Sequence, residues 1–491
     1  MGAATEIPVE LWLKILDGLP ASTMRAVYNT HRFFRPVCAP FLHSHFLFRP
    51  YYRARPTSSI RLPLDEKVSD SLERLAFWTS DKIAPLVRSC HVEPWPTADD
   101  AKTDAAIFPT AEPLTLLDPF YKRLGSFTNM VTLEARLLHF TPEGVEGVCA
   151  LPNLKKLRLV SCTAAWSADE SHPYSLSVTH LSIDSRLDFS TELVGGFESW
   201  LSLLRPECIE SLKLPWNREV AIERMQPIAT FSKLRKLRIR MDASTIDQSF
   251  IDFLLSTRVE DLDLRGPGTL PFDRDITIPT PFMPRLKAYS GPISTMRLFL
   301  KCPNLVRLTA EGNVEIFRER LLQLSAPPNV TSLSLILSFY DLSHVVEVIS
   351  FFPHLTELRI TITDSRYNSD YLTQLVNHLP NIAISSTLKR LAVTLRDVPR
   401  FSVQYPKFDY APARRRLLQH HPVLETVWFS HAQHYYSWRL LGPAAEGGER
   451  EKEEKARNVQ ICVCRRSVCV CLHVKKKVDV DGIFERFWGK G

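Results

Sequence analysis

Four cysteines crowd one end of this 491-residue chain: Cys462 and Cys464 form one C-x-C pair, Cys469 and Cys471 a second, and His473 follows. Thiolates and imidazole are the ligands zinc prefers, so this is the place where the sequence offers a metal set. Two C-x-C pairs four residues apart are not a usual zinc spacing, however, and strand-like alternation would point all four thiols to one side. Before them, residues 446–457 are a run of Glu, Lys and Arg that reads as a solvated helix or linker. Residues 441–491 are therefore expected to be a charged, cysteine-containing tail without order and without a bound metal. The pairs His431/His434 and His43/His45 lack acidic or thiol neighbours, and packing or surface roles are expected of them.

Catalytic constellations are sought in vain. There is no G-x-x-x-x-G-K, and Gly266-Pro267-Gly268 stands without a dinucleotide-binding context. Neither G-x-S-x-G nor H-E-x-x-H occurs, and 17 glycines are few for phosphate-cradling loops. The expectation is a protein that is not an enzyme and takes no cofactor. Hydrophobic residues make up 45% and charged residues 23%, as in a globular chain. No apolar run approaches the roughly 18–20 residues a bilayer span needs, so no membrane partner is expected. The start, MGAATEIPVE, has neither the basic flank nor the apolar stretch of a secretory signal, which implies a cytoplasmic or nuclear protein. Six further cysteines (Cys38, Cys90, Cys149, Cys162, Cys208 and Cys302) are scattered singly, as small core residues are where thiols stay reduced. The net charge of +7 is spread thinly, and no stripe interleaves basic and aromatic residues, so nucleic acid is not an expected partner.

What the chain does carry is a repeat. LPNLKKLRLV (151–160) reads L-x-x-L-x-L through Leu154, Leu157 and Leu159. FSKLRKLRIR, RVEDLDLRG, CPNLVRLTAEGN, PPNVTSLSLIL and FPHLTELRI repeat it, and weaker copies centre on Leu133, Leu181, Leu212, Tyr289, Leu391 and Val427. The middle apolar residues fall at 133, 157, 181, 212, 237, 262, 289, 308, 333, 358, 391 and 427, in steps that cluster at 24–27 residues. Each x-L-x-L core alternates as a strand with one buried face does. Between the cores lie helical spacings: Leu193, Phe197, Trp200 and Leu204; Phe317, Leu321 and Leu324; Leu372, Leu375 or Val376, and Leu379. Pro152, Pro303, Pro328, Pro353 and Pro422 end helices before the next strand.

This pattern resembles a degenerate leucine-rich repeat. The implied fold class is α/β: a curved solenoid over 83–440 with parallel strands concave and helices convex, interrupted by an insertion loop near 93–118. No repeat can bury its apolar faces alone, so neighbours must stack. The strands' outward polar residues would then face an unknown protein substrate: Lys156, Arg158, Lys236, Arg238, Asp261, Asp263, Arg307, Glu357 and Arg359. Their signs are mixed, so the partner's charge stays open. Asn313 and Cys162 sit where such repeats close the turn after the strand.

Ahead of the repeat, EIPVELWLKILDGLPASTMRAVYNTHRFFRPVCAPFLHSHF (6–46) reads as helices. Pro8 suits a first turn, and Leu11, Ile15, Leu16 and Leu19 make an apolar stripe. Gly18-Leu19-Pro20 ends that helix, Ser22 or Thr23 would cap the next, and Phe33 to Phe46 would supply a third apolar face. These are more large apolar residues than some forty residues bury internally. The run from Ile7-Pro8 to Met24 resembles the F-box, whose pattern begins L-P-x-E-L-x-x-x-I-L-x-x-L-P. Thr30 departs from it where an aliphatic residue is usual, and Phe34 where Trp is.

That resemblance implies a module over 1–48 with Pro8, Leu11, Ile15, Leu16, Leu19 and Met24 binding or supporting a Skp-family adaptor, and through it a cullin-RING ligase core. A linker and helix over 49–82 would lead into the repeats, which would select the target for ubiquitination. The other class of reading is a stand-alone repeat scaffold with a helical cap and no ligase role.

Overall fold

The computed structural model describes residues 7–51, 65–94, 114–164, 174–184, 197–216, 231–241, 246–266, 276–323, 329–337, 342–363, 386–395, 417–431 without 418 and 422, 434–439 and 464–465. The chain divides into two compact units, residues 1–238 and 239–491.

The first unit opens with helices α1 (Val9–Leu16), α2 (Ala21–Thr30) and α3 (Phe34–Leu42). They close on Leu16, Met24, Val37 and Cys38, with Trp12, Leu13, Leu19, Val27 and Phe34 packed around that core. Gly18 adopts φ +87°, which turns the chain sharply enough for the Leu19 N–H to donate to the Leu16 carbonyl at 3.1 Å. A side chain at Gly18 would strain that turn. The expected cap at Ser22 or Thr23 is corrected: Pro20 holds the N-cap position of α2 with no side-chain cap, and both hydroxyl residues lie inside the helix.

The expectation of a third helical face reaching Phe46 is also corrected. Helix α3 ends at Leu42, and the chain continues as β1 (His45–Phe48). The reason is period: Phe46 and Phe48 are buried while His45 and Leu47 are not, and only a strand sends alternate side chains to one face. There follow α4 (Asp65–Trp78), β2 (Ser89–Val92), α5 (Leu114–Arg123), β3 (Thr132–Arg136), β4 (His139–Phe140), α6 (Pro142–Cys149), β5 (Lys156–Val160), β6 (Thr163–Ala164), β7 (His180–Asp184), α7 (Phe197–Ser202) and β8 (Ser211–Trp216). Strand β9 (Lys236–Met241) contains the division between the units. The order β1-β2-β3-β5-β7-β8 is parallel throughout, and β4 pairs with β6 beside it.

The buried ladder of this sheet runs in register through Phe46, Cys90, Leu133, Leu157, Leu181 and Leu212. Helices cover that side: Trp78 of α4 stacks on Phe46 at 5.0 Å, and Phe120 of α5 stacks on Phe48 at 5.0 Å. Aromatic pairs of this kind add to the burial of their area. Strand β2 begins at Ser89 after a 3₁₀ turn at Ala84–Leu86, and β1 precedes it in the sheet. Of the insertion expected near 93–118, residues 114–118 belong to α5 and residues 95–113 lie outside those described.

The second unit holds α8 (Gln248–Ser256), β10 (Asp261–Arg265), β11 (Ala288–Pro292), α9 (Met296–Phe299), β12 (Arg307–Gly312), α10 (Val314–Leu322), β13 (Ser332–Leu337), α11 (Leu342–Ser350), β14 (Glu357–Ile362), β15 (Arg390–Leu395), β16 (Thr426–His431), β17 (His434–Arg439) and β18 (Cys464–Arg465). Strands β10 to β16 pair in parallel, each with the next in sequence, and β17 and β18 add antiparallel. Here the ladder runs Leu262, Tyr289, Leu308, Leu333, Leu358, Leu391 and Val427. From Leu133 onward the ladder positions fall on the middle residues of the sequence repeat, while Phe46 and Cys90 precede it. Parallel strands need a crossover long enough to return the chain, which is why the steps are some two dozen residues rather than a hairpin's few.

Of the expected helices, Phe197 and Trp200 lie in α7, and Phe317 and Leu321 are in α10. The residues Leu193, Leu324 and Leu372 to Leu379 lie outside those described. Asn313 directly follows β12, and its Oδ1 accepts from the Glu315 N–H at 2.8 Å and caps α10. Cys162 donates from Sγ to the Ala135 carbonyl at 3.3 Å, a link between neighbouring repeats.

A second link of that kind precedes the strands. Asn129 Nδ2 donates to the Pro85 carbonyl at 2.9 Å, Asn153 to Thr128 at 2.9 Å, and Asn304 to Pro284 at 2.7 Å. Each asparagine stands three residues before its own strand and reaches a carbonyl four residues before the strand alongside. Among the described residues no helix is long and apolar enough to cross a membrane.

Candidate docking surfaces

Helix α1 is apolar on more than the side it buries. Leu16 is 1% exposed, and Trp12 meets Phe34 edge-on at 5.0 Å, which fixes α1 against α3. Leu11 and Ile15, one turn apart on another side of the helix, are 47% and 51% exposed, and Pro8 is exposed at its start. Large apolar side chains side by side in water mark a surface that something else covers. The six residues assigned to adaptor binding thus separate into two groups. Pro8, Leu11 and Ile15 face outward, whereas Leu16 and Met24 are core and Leu19 is partly buried. Thr30 is exposed, and its hydroxyl donates to the Val27 carbonyl at 2.7 Å, so the departure from the F-box pattern leaves the helix core untouched.

The strand side away from the helices carries charge. In the first unit, Glu134 lies between Arg136 at 2.8 Å and Arg158 at 3.4 Å, with His91 at 3.7 Å. Glu93 in turn meets Arg49 at 3.1 Å and His91 at 3.3 Å. Burial alone would raise the Glu134 carboxyl, but the Arg136 hydrogen bond and the charges of Arg158, His91 and Arg136 outweigh it and hold it below the usual value. Lys213 pairs with Asp184 at 2.6 Å. Lys156, Lys236 and Arg238 are exposed, and Arg158 is partly so. Sequence reasoning missed Arg49, His91, Glu93, Glu134 and Arg136. For all of them but Arg49 the signal was there in the alternation of S-C-H-V-E and T-L-E-A-R, where every second residue is polar.

In the second unit Arg307 is exposed and Asp261 and Arg359 are half-buried. Glu357 accepts from Arg390 at 2.8 Å and from the Ser332 hydroxyl at 3.1 Å. Asp263 corrects its expectation as a partner-facing carboxylate: it is only 8% exposed, and the Arg265 guanidinium folds back onto it at 3.2 Å. Further along the same side Thr361, Ala392 and Trp428 are all buried, at 4%, 0% and 1% exposure. The open part of the outward strand side described in this unit is therefore at β10 to β14.

Among the described residues no group of three or more His, Cys, Asp or Glu is placed to hold a metal ion. Of the cysteine set, Cys464 lies in β18 opposite Tyr435, while Cys462, Cys469 and Cys471 are outside the described residues. His431 and His434 are register partners in the β16–β17 pair, and His43 packs edge-on against Phe77 and Trp78, with burial lowering its pKa.

Together these features define an α/β protein of parallel strand–turn–helix repeats, preceded by a helical module with an open apolar face. No protein-family model matches the chain, and comparison with the curated proteins returns no match. Among solved structures, the crystal structure of a TLR13–ssRNA13 complex is similar at 13% identity and a TM-score of 0.28, over 72% of this chain. The match spans 55% of that protein's chain, about half its length.

Proposed function

We propose that this chain is a substrate receptor of a Skp–cullin–F-box ubiquitin ligase: the N-terminal helices dock a Skp-family adaptor, and the outward strand side holds the protein to be modified. The observation that carries this reading is the exposure of Leu11 and Ile15 on one side of α1, while Leu16 and Trp12 do the work of closing the module. A helical cap that only shielded the first strands would have no need for an apolar pair facing water. The role needs no catalytic residue and no cofactor, because the receptor contributes binding alone. Adaptor contact falls to Pro8, Leu11 and Ile15, with Leu16, Leu19 and Met24 holding them in place.

The test is a pull-down of the intact chain on an immobilised Skp-family adaptor, beside the double variant Leu11→Ala/Ile15→Ala. Retention of the intact chain and loss of the variant supports the reading. Failure of the intact, folded chain to bind removes the ligase role and leaves a stand-alone repeat scaffold with a helical cap.

A further inference from the structure

The adaptor face of α1 and the outward strand side leave one recess of the second unit without a role. A cleft of about 260 Å³ opens at the rim where the strands begin, lined by residues 254–259 and 283–285. One wall is the last turn of α8 and the turn after it, where the Ser256 hydroxyl donates to the Phe253 carbonyl at 2.6 Å and the Thr257 hydroxyl to Leu254 at 2.7 Å. The other wall is the approach to β11. There Met283 adopts φ +38°, and Asn304 Nδ2 holds the Pro284 carbonyl at 2.7 Å. Leu254, Val259 and Met283 are buried, whereas Arg258 and Arg285 are exposed.

The two arginines stand where other repeats keep a neutral link. Each lies three residues before its strand, the place of Asn129, Asn153 and Asn304. Those asparagines bond back to the preceding repeat. Among the described residues Arg258 and Arg285 make no such bond and no ion pair. Glu260, two residues on from Arg258, is held by Lys287 at 2.8 Å. Asp261 is the register partner of Ala288, so carrying the register back three residues sets Arg258 opposite Arg285. Adjacent strands lie about 4.8 Å apart. Two like charges so placed repel each other, and an anion between them turns that repulsion into attraction.

We infer that this cleft binds the C-terminal residue of a peptide chain, its free carboxylate on Arg258 and Arg285 and an apolar last side chain against Leu254, Val259 and Met283. Charge complementarity calls for an anion, and the guanidinium fork matches a planar carboxylate. At about 260 Å³ the cleft is smaller than the about 300–1,000 Å³ of sites for drug-sized ligands, which suits one chain end better than a nucleotide. The last turn of α8 decides among the anions. Helix C-termini leave carbonyls that need donors and carry partial negative charge. A chain end brings its own N–H beside the carboxylate, while a phosphate group brings more charge and no such donor. An acidic side chain would reach the arginines but leave the apolar lining uncovered. The cleft lies off the outward strand side, and its role does not depend on the receptor reading.

The test is fluorescence polarisation with the full chain and peptides Gly-Ser-Gly-Ser-Gly-X, labelled with fluorescein at the N-terminus and ending in alanine, valine, leucine, methionine or phenylalanine. The same peptides with a C-terminal amide are run in parallel, as are amidated peptides with an internal glutamate or phosphoserine. At least one free acid is expected to bind, and its amide to bind about tenfold or more weaker. R258A/R285A is expected to lose that binding about tenfold or more. R258K/R285K, which keeps the charges but not the forks, is expected to lose about threefold, and K389A, at a distant repeat of the same unit, none. Circular dichroism shows that each variant is folded. Failure of every free acid to bind, equal binding of acid and amide, or equal binding by folded R258A/R285A would each overturn the inference. So would tighter binding of the glutamate or phosphoserine peptide that is lost in R258A/R285A. No adaptor enters the experiment, so the ligase reading stands or falls separately.

Discussion

The phenol of Tyr289 donates to the hydroxyl of Thr295 inside the second unit, and that hydroxyl passes its own proton on to the Pro292 carbonyl at 2.7 Å. Both residues are buried, at 1% and 0% exposure. Tyr289 occupies a ladder position that leucine or valine fills in the neighbouring strands, and its ring stacks on Phe299 at 4.0 Å. The oxygen at the end of the ring is what the repeat had to accommodate. Burial pushes the phenol's pKa up, so it stays a donor.

The two ends of that hydrogen bond should not be equivalent. Tyr289→Phe removes the donor and leaves Thr295 still bonded to Pro292, for a cost of about 1 kcal/mol. Thr295→Val strands a buried phenol and should cost about 2–3 kcal/mol. Gly291→Ala would place a Cβ against the Tyr289 hydroxyl and should cost about 1–3 kcal/mol by overpacking. Urea denaturation of the three variants checks the order. A Tyr289→Phe loss as large as that of Thr295→Val would show that the pair is not linked as described.

The asparagine links between repeats offer a graded series. Asn129 is partly buried and Asn153 is exposed, though both donate over 2.9 Å to the preceding repeat. Asn129→Ala should therefore cost about 1–1.5 kcal/mol and Asn153→Ala about 0.5 kcal/mol, because water replaces the exposed bond more readily. Denaturation midpoints in the reverse order would contradict the assignment.

Acid should weaken the first unit in two stages. His139 is half-buried, its ring bonded to the Thr163 hydroxyl at 2.9 Å, and burial lowers its pKa below the usual 6.5. A base lowered in the folded state contributes stability that is full above 6.5 and is lost as pH falls through its folded pKa, since the unfolded chain takes up the proton first. Glu134, held below the usual 4.5 by its arginines, adds stability that is present above 4.5 and is lost as pH falls further. In melting temperature against pH, Glu134→Gln should flatten the lower stage and His139→Asn the upper one. Unchanged curves in both variants would count against these shifts.

Much of the repeat was legible in the sequence because one-sided burial writes itself as x-L-x-L. Leu157, Leu333 and Leu358 announce their strands, and even Tyr289 and Val427 keep the cadence. The ladder's first two steps were not legible as part of it. Phe46 stands four residues beyond a helix whose run of apolar residues it extends, and Cys90 offers a single small thiol where leucine is the signal. The repeat-to-repeat asparagines were overlooked because such a residue was sought after the strand. The tripeptides Pro152-Asn153-Leu154 and Pro303-Asn304-Leu305 place it before. The candidate docking residues could be named but not sorted. Sequence puts Leu11, Ile15 and Leu16 in one stripe, and only the position of α3 decides which of them face water.

That sorting separates stability from binding. Leu157→Ala, at 1% exposure in the ladder, should cost about 2–5 kcal/mol of stability. Leu11→Ala and Ile15→Ala, near half exposed, should each cost less than about 1 kcal/mol. Thermal melts of the three single variants make the comparison, and an unfolding penalty for Leu11→Ala comparable to that of Leu157→Ala would place it in the core after all.

The measurement that bears most directly on the account is calorimetric titration of a Skp-family adaptor into the intact chain and into Leu11→Ala/Ile15→Ala. Binding by the intact chain, with a loss of about 2 kcal/mol or more in the variant at little change in melting temperature, is the expected result. Equal affinity of the two proteins, or no heat of binding with the intact chain, would contradict the claim that this face of α1 is a docking surface for that adaptor.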